Sequence, residues 1–78
     1  MLRYSELSKP QKAIIDEMKK GHILKLTPAG YIQCDGRNTV KVNANIANAL
    51  GLRHFIIECF YDKEKNIREY CLNADITY

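Results

Sequence analysis

The side chains best suited to catalysis or metal binding are three cysteines and two histidines, and their spacing favours neither role. Cys34, Cys59 and Cys71 are separated from one another by twelve positions or more. Zinc modules usually hold the ion with close Cys or His pairs. His54 is five positions from Cys59, but a Cys–His pair without an orienting group or a cleft is a poor nucleophile. We therefore predict no metal and no cofactor.

A structural role is the simplest interpretation of these cysteines. Free cysteine is among the most buried residue types and packs as a small hydrophobic side chain, so we expect buried, reduced thiols. Cys59 and Cys71 fall on the two arms of a hairpin predicted below, where they could face each other. In a reducing compartment that proximity does not produce a disulfide.

Other arrangements typical of enzymes do not occur in the chain. Its two serines, Ser5 and Ser8, stand near the N-terminus outside any Gly-x-Ser-x-Gly motif, and there is no Gly-x-x-x-x-Gly-Lys phosphate loop. Asp16 and Glu17 are adjacent on a predicted helix, so their side chains diverge by about 100° and cannot act as a carboxylate pair. We predict that the chain is not an enzyme.

The length and the charge are compatible with one small binding domain. The 78 residues carry 12 Lys+Arg and 9 Asp+Glu, a formal net charge of +3, and we predict a single domain over residues 1–78. Most of the positive surplus lies in residues 1–25, whereas residues 59–78 have a net charge of −1. No run approaches the roughly 18 apolar residues of a membrane span, and the N-terminus lacks the apolar core of a secretion signal. We expect a cytoplasmic protein with no membrane partner.

Local patterns predict the order helix, hairpin, short helix, hairpin. Ser8 and Gln11 form a capping-box pattern at the start of a helix over residues 9–20, and Gly21 is a suitable stop. Gly51 is expected to end the short second helix. The elements after the first helix are a hairpin, a third short strand or extended lead-in, the short helix and a second hairpin: residues 22–34, 39–42, 43–50 and 55–72.

Three stretches carry a family resemblance: Leu7-Ser8-x-x-Gln11-x-x-Ile14-Ile15-x-x-Met18-x-x-Gly21, then Val42 with Ile46, Leu50, Gly51-Leu52 and Ile56-Ile57, and finally Tyr70-Cys71-Leu72-Asn73. The first stretch resembles the opening helix of small winged-helix-like domains, which are common in phage and prophage genes. The middle stretch resembles their recognition-helix region running into the first wing strand. The last stretch is similar to the Tyr-x-Leu-Thr ending of a returning wing strand.

This resemblance implies an α+β fold, a small winged-helix-like domain that binds DNA through its second helix. The chain departs from the family pattern in two places. A winged helix has a further helix where residues 22–42 have the pattern of a hairpin, so the structure of that stretch stays open. The second helix carries no Arg or Lys between Asn43 and Gly51.

The expected function is that of a small DNA-binding, transcription-regulator-like protein of phage or plasmid origin. Carboxamides match the adenine edge in the major groove, so Asn45 and Asn48 are candidate base contacts. The alternative is that Asn43 and Asn45 cap the helix and Asn48 is solvated. One module offers few phosphate contacts, so double-stranded DNA would be bound by a homodimer. The basic candidates for phosphate contact flank the second helix: Lys41, Arg53, Lys63 and Lys65.

A protein-interaction module is the alternative function, for example a phage-encoded inhibitor or adaptor that docks on a host protein complex. The basic opening helix and the acidic last hairpin would steer the chain electrostatically to a protein partner. An exposed strand at residues 55–61 could also pair with the edge of a partner's sheet.

Overall fold

The computed structural model describes residues 2–78, and in it more residues lie in β-strands than in helices. Seven strands hold 39% of the residues. The two α-helices are α1 (Lys9–Lys19) and α2 (Ala44–Leu52). The strands are β1 (Leu2–Arg3), β2 (Ile23–Thr27), β3 (Gly30–Cys34), β4 (Thr39–Lys41), β5 (Ile56–Asp62), β6 (Ile67–Leu72) and β7 (Ile76–Thr77). Met1, which the single-domain prediction includes, lies outside the described residues.

Five strands form one antiparallel sheet in the order β4-β3-β2-β6-β5. The first hairpin, β2–β3, adds β4 on its outer side, and β5–β6 is the second hairpin. The two hairpins join because β2 pairs with β6, which places Leu24 opposite Tyr70 and Lys25 opposite Glu69. β1 and β7 form a separate two-stranded parallel sheet. β4 and β5 are therefore the two edges of the large sheet.

The predicted fold class, a small winged-helix-like α+β domain ordered helix–hairpin–short helix–hairpin, is wrong. The second hairpin does not stand apart as a wing, because β6 lies between β2 and β5 inside the sheet. Residues 22–42 contain β2, β3 and β4 and no helix. The physical reason is that Leu24, Tyr31 and Tyr70 form one apolar face, which the pairing of β2 with β6 extends across both hairpins.

The first helix begins as its sequence predicts. The Ser8 Oγ accepts a hydrogen bond from the Gln11 amide at 3.3 Å, and the Gln11 Oε1 accepts one from the Ser8 amide at 2.9 Å. This capping box satisfies two of the amides that a helix start leaves unpaired. The helix ends in a Schellman motif, with Gly21 at φ 101° and the His22 amide donating to the Glu17 carbonyl.

The second helix ends beyond the glycine that was predicted to stop it. It continues through Gly51 to Leu52, and its left-handed cap residue is His54, at φ 64°. The Phe55 amide donates to the Leu50 carbonyl at 3.0 Å and the His54 amide to the Gly51 carbonyl at 3.1 Å, again a Schellman motif. Phe55 and Leu50 are both fully buried, so the hydrophobic contact of this motif leads directly into the core and directs the chain into β5.

Candidate functional site

The predicted DNA-contacting cations do not gather on one surface. Lys41 lies on β4, at one edge of the sheet, whereas Lys63 and Lys65 lie in the turn between β5 and β6 at the other edge. Four strand spacings separate the two edges, about 19 Å. Arg53 caps α2 and already has intramolecular partners, Glu6 at 4.0 Å and the face of the Phe55 ring at 5.2 Å.

The asparagines of α2 divide between capping and surface roles. Asn43 is the cap, since its Oδ1 accepts from the amides of Asn45 and Ile46. Asn45 and Asn48 are exposed and three residues apart, hence on one face of the helix. The Asn48 Oδ1 accepts a hydrogen bond from the Tyr31 hydroxyl at 2.8 Å. The sequence contains no local signal for this bond, because it joins residues 17 positions apart on a helix and a strand.

Of the two edge strands of the large sheet, β5 carries more of the exposed large apolar side chains than β4. Within residues 2–78, no strand pairs with its outer side. Ile57 is 44% exposed and Phe60 54% exposed, and Leu52 at the end of α2 is 81% exposed. Tyr61 is also exposed. Isolated surface apolar residues are ordinary, but several of them along an unpaired edge mark an interaction site.

The main chain of β5 is oriented for further pairing. The Phe55 carbonyl accepts from the Asn73 amide at 3.0 Å, so Phe55 points its hydrogen-bonding groups toward the return strand. Because this orientation alternates along an antiparallel strand, the amide and carbonyl of Ile56 and of Glu58 point away from β6. Ile56 is only 2% exposed, whereas Glu58 is exposed, so Glu58 offers its outward main chain to solvent. A β-bulge between Glu58 and Phe60 ends the regular stretch, so the available pairing segment is short and lies next to α2.

A groove of about 550 Å³ runs beside this edge, between the end of α2 and the sheet. Its wall on the helix side contains Leu52 and His54, and Tyr31 and Tyr70 lie on the sheet side. The two tyrosine rings are 6.0 Å apart at their centroids. Along β5 the groove is lined by Ile56, Ile57 and Glu58. A side chain carried by a segment paired with β5 would enter this groove, which is mostly apolar.

Glu58, the carboxylate that lines the groove, is paired with Arg68. The Arg68 Nη1 donates to the Glu58 Oε1 at 2.6 Å, and its guanidinium lies 4.7 Å from the Tyr61 ring centroid. The hydrogen bond to Glu58 raises the pKa of Arg68. This pair spans β5 and β6 on the face that carries Tyr70, and it leaves the rim without an unpaired charge.

The tyrosine in the groove should make stability fall at high pH. Burial raises the pKa of Tyr31 to about 12, against about 10 in the unfolded chain. A raised folded-state pKa stabilises the fold below pH 10, and that contribution is lost as the pH rises from about 10 to about 12. We expect Tyr31→Phe to flatten the fall in free energy of unfolding over this range, measured by urea titration. Tyr61→Phe is the exposed control. If the free energy of unfolding fell as steeply with pH in Tyr31→Phe as in Tyr61→Phe, the raised pKa of Tyr31 would not be the cause of the fall.

The cysteines differ from their prediction as buried, reduced thiols. Cys59 and Cys71 form a disulfide across β5 and β6, with Cα atoms 5.8 Å apart, and both are exposed. Cys59 is the extra residue of the bulge. Cys34 is half-buried and free, and its sulfur lies 3.6 Å from the Thr39 hydroxyl. In the oxidised chain the disulfide therefore links β5 and β6 next to the exposed edge.

A smaller groove of about 340 Å³ lies between the end of α1 and β3–β4. The His22 Nδ1 is 2.9 Å from the Glu17 carboxylate, and Asp35 lies on the opposite wall. Amide hydrogen bonds from Asn38 and Arg37 lower the pKa of Asp35. Across residues 2–78, no three His, Cys, Asp or Glu side chains are grouped to hold a metal ion.

Comparisons with protein-family models, with curated proteins and with solved structures found no match to this chain. Among the described residues, no helix has the length and apolar character needed to cross a membrane.

Proposed function

We propose that the chain is a protein-binding module that captures an extended segment of a partner protein along β5. The observation that carries this proposal is the free β5 edge beside an apolar groove. A partner strand would form main-chain hydrogen bonds with Glu58, and one of its apolar side chains would enter the groove. Strand addition of this kind takes affinity from the main chain and specificity from the pocket.

The charges near this edge favour a polypeptide over a nucleic acid. Glu58 is neutralised by Arg68, so a neutral main chain meets no unpaired charge at the rim. A phosphate backbone would need a concentrated basic face, whereas residues 59–78 carry a net charge of −1. A phage-encoded inhibitor or adaptor that docks on a host complex, with no catalytic activity of its own, fits this mode of binding.

A lysine on the edge strand β5 should weaken capture of the partner. Ile57→Lys puts a charged side chain on the edge strand, and lysines on edge strands are a common means by which proteins prevent strand addition. We expect it to weaken partner binding by about tenfold or more, equivalent to about 1.4 kcal/mol. The assay is recovery of a stoichiometric protein from nuclease-treated lysate by the immobilised chain.

The control for this substitution is Val40→Lys, on the opposite edge of the same sheet, where Val40 is 62% exposed. It should retain the wild-type recovery. Equal recovery by both variants, equal loss in both, or disappearance of every wild-type partner with nuclease would contradict binding along β5.

Binding of double-stranded DNA is the second candidate, and it includes the predicted homodimer. The observation that favours it is the shared exposed face of Asn45 and Asn48 on α2. Its test is fluorescence anisotropy with a duplex at about 50 and 200 mM salt, since phosphate-dependent binding weakens steeply between them. Asn45→Ala should then relax sequence preference. No binding at the lower salt would exclude this candidate.

A cytoplasmic location belongs to the same proposal. In that compartment thiols are kept reduced, so Cys59 and Cys71 are expected as thiols until an oxidant reaches them. The Cys59 sulfur lies 3.4 Å from the Glu69 carbonyl oxygen, which would accept the hydrogen of the reduced thiol. Alkylation of intact cells before lysis tests this. Labelling of Cys59 and Cys71 in addition to Cys34 supports the location, and a Cys59–Cys71 pair that stays unlabelled contradicts it.

A further inference from the structure

Two tyrosines from distant parts of the chain meet beside α1. The parallel pairing of β1 with β7 places Leu2 opposite Ile76. Tyr4 directly follows β1 and Tyr78 directly follows β7, so the two tyrosines lie side by side. Their ring centroids are 5.5 Å apart, at an interplanar angle of 45°. Tyr78 is exposed and Tyr4 is half-buried, so the pair presents aromatic surface to solvent.

Lysines from α1 lie over both rings. The Lys12 ammonium is 5.4 Å from the Tyr4 centroid, and the Lys19 ammonium is 4.0 Å from the Tyr78 centroid. The two lysines are seven residues apart, two helical turns or about 10.5 Å along the axis. Lys9 continues the same helical stripe. The cations therefore follow a line, with the aromatic rings beside it.

The one carboxylate on this stripe is already hydrogen-bonded. Asp16 lies between Lys12 and Lys19, and its Oδ1 accepts a hydrogen bond from the Tyr4 hydroxyl at 2.6 Å. That bond raises the pKa of Tyr4, so the hydroxyl remains a donor at neutral pH. The bond holds Asp16 on the tyrosine pair, and the stripe keeps a net positive charge.

We propose that this lysine–tyrosine surface, formed by Lys9, Lys12, Lys19, Tyr4 and Tyr78, binds single-stranded nucleic acid. The lysines would contact successive phosphates, and Lys19 would leave the face of the Tyr78 ring to do so. An unpaired base would then stack on that exposed ring. Cations that follow the backbone beside aromatic stacking surfaces are the common solution for single strands. A duplex keeps its bases stacked internally and cannot use the rings. The surface lies on α1 and the chain termini, apart from β5, so it stands or falls independently of partner capture.

The test is fluorescence anisotropy with a labelled single-stranded oligothymidylate of 12 nucleotides and a duplex of equal length, at about 50 and 200 mM salt. The wild-type chain should bind the single strand more tightly than the duplex. Lys12→Gln combined with Lys19→Gln should lower the slope of log affinity against log salt by about 1.4, or about 0.7 for each phosphate that is no longer neutralised. Tyr78→Ala should weaken binding by about tenfold, because the base can no longer stack there.

The matched control is Lys25→Gln combined with Arg37→Gln, which removes the same charge from β2 and from the turn between β3 and β4. It should leave both the affinity and the salt slope at wild-type values. Far-UV circular dichroism of every variant verifies folding. No binding to the single strand at about 50 mM salt, tighter binding to the duplex, or equal losses in the two double variants would overturn the proposal.

Discussion

Replacing Phe55 with alanine should remove most of the stability of the fold. Phe55 is fully buried, and it is the residue at which the end of α2 becomes the start of β5. Large-to-small changes of this kind cost about 3–5 kcal/mol. A chain of this length has only about 4–12 kcal/mol in total, at roughly 0.05–0.15 kcal/mol per residue. We expect Phe55→Ala to unfold at a much lower urea concentration, or to lack a cooperative transition altogether.

The chain's other phenylalanine is the natural control. Phe60 is 54% exposed on β5, so Phe60→Ala removes the same atoms without creating a cavity. Its free energy of unfolding should stay within about 1 kcal/mol of the wild-type value. Unfolding of both variants in urea is measured by circular dichroism. If the two substitutions destabilised the chain similarly, Phe55 would not be the centre of this core.

Reducing the disulfide should have the second-largest effect. Cys59 and Cys71 are 12 positions apart. A crosslink that closes a loop of this size lowers the conformational entropy of the unfolded chain, which raises the free energy of unfolding by about 3 kcal/mol. We expect a thiol reductant to lower the free energy of unfolding of the oxidised chain by about that amount. Cys71→Ser should lower it equally, and reductant should then cause no further loss.

Cys34→Ser serves as the control for this prediction, because Cys34 is outside the disulfide. This variant should retain the wild-type response to reductant. If reductant left the wild-type chain unchanged, or destabilised Cys71→Ser as strongly as the wild type, the crosslink would not contribute as expected. The β5–β6 hairpin includes the β5 edge, so the same measurements show whether the crosslink stabilises that edge.

Elements encoded by neighbouring residues could be predicted from the sequence. The α1 capping box needs only Ser8 and Gln11, three positions apart, and Gly21 supplies the left-handed residue after the helix. The end of α2 was harder to predict, since His54 adopts the left-handed conformation that a glycine such as Gly51 adopts more readily. Its cause is tertiary: burial of Phe55 against Leu50 determines where the chain turns.

The arrangement of the hairpins depends on contacts between distant residues. Pairing of β2 with β6 brings Leu24 opposite Tyr70, and no local pattern distinguishes this from two separate hairpins. The same limit applies to the candidate sites. The exposed strand was visible as an apolar run near Ile57, but its position at a sheet edge beside a groove follows only from the strand order. The meeting of Tyr4 with Tyr78 spans nearly the whole chain.

Amide hydrogen exchange in the complex with the partner protein tests the proposed binding along β5 most directly. The amide of Glu58 points outward and should exchange rapidly in the free chain, because Glu58 is exposed and no strand within residues 2–78 pairs with its outer side. In the complex of the isotopically labelled chain with its purified partner, strand addition should slow the exchange of this amide strongly. It should leave the amides of β4, at the opposite edge, unchanged. Protection confined to β4 or α1, with the Glu58 amide still exchanging at its free-chain rate, would contradict partner binding along β5.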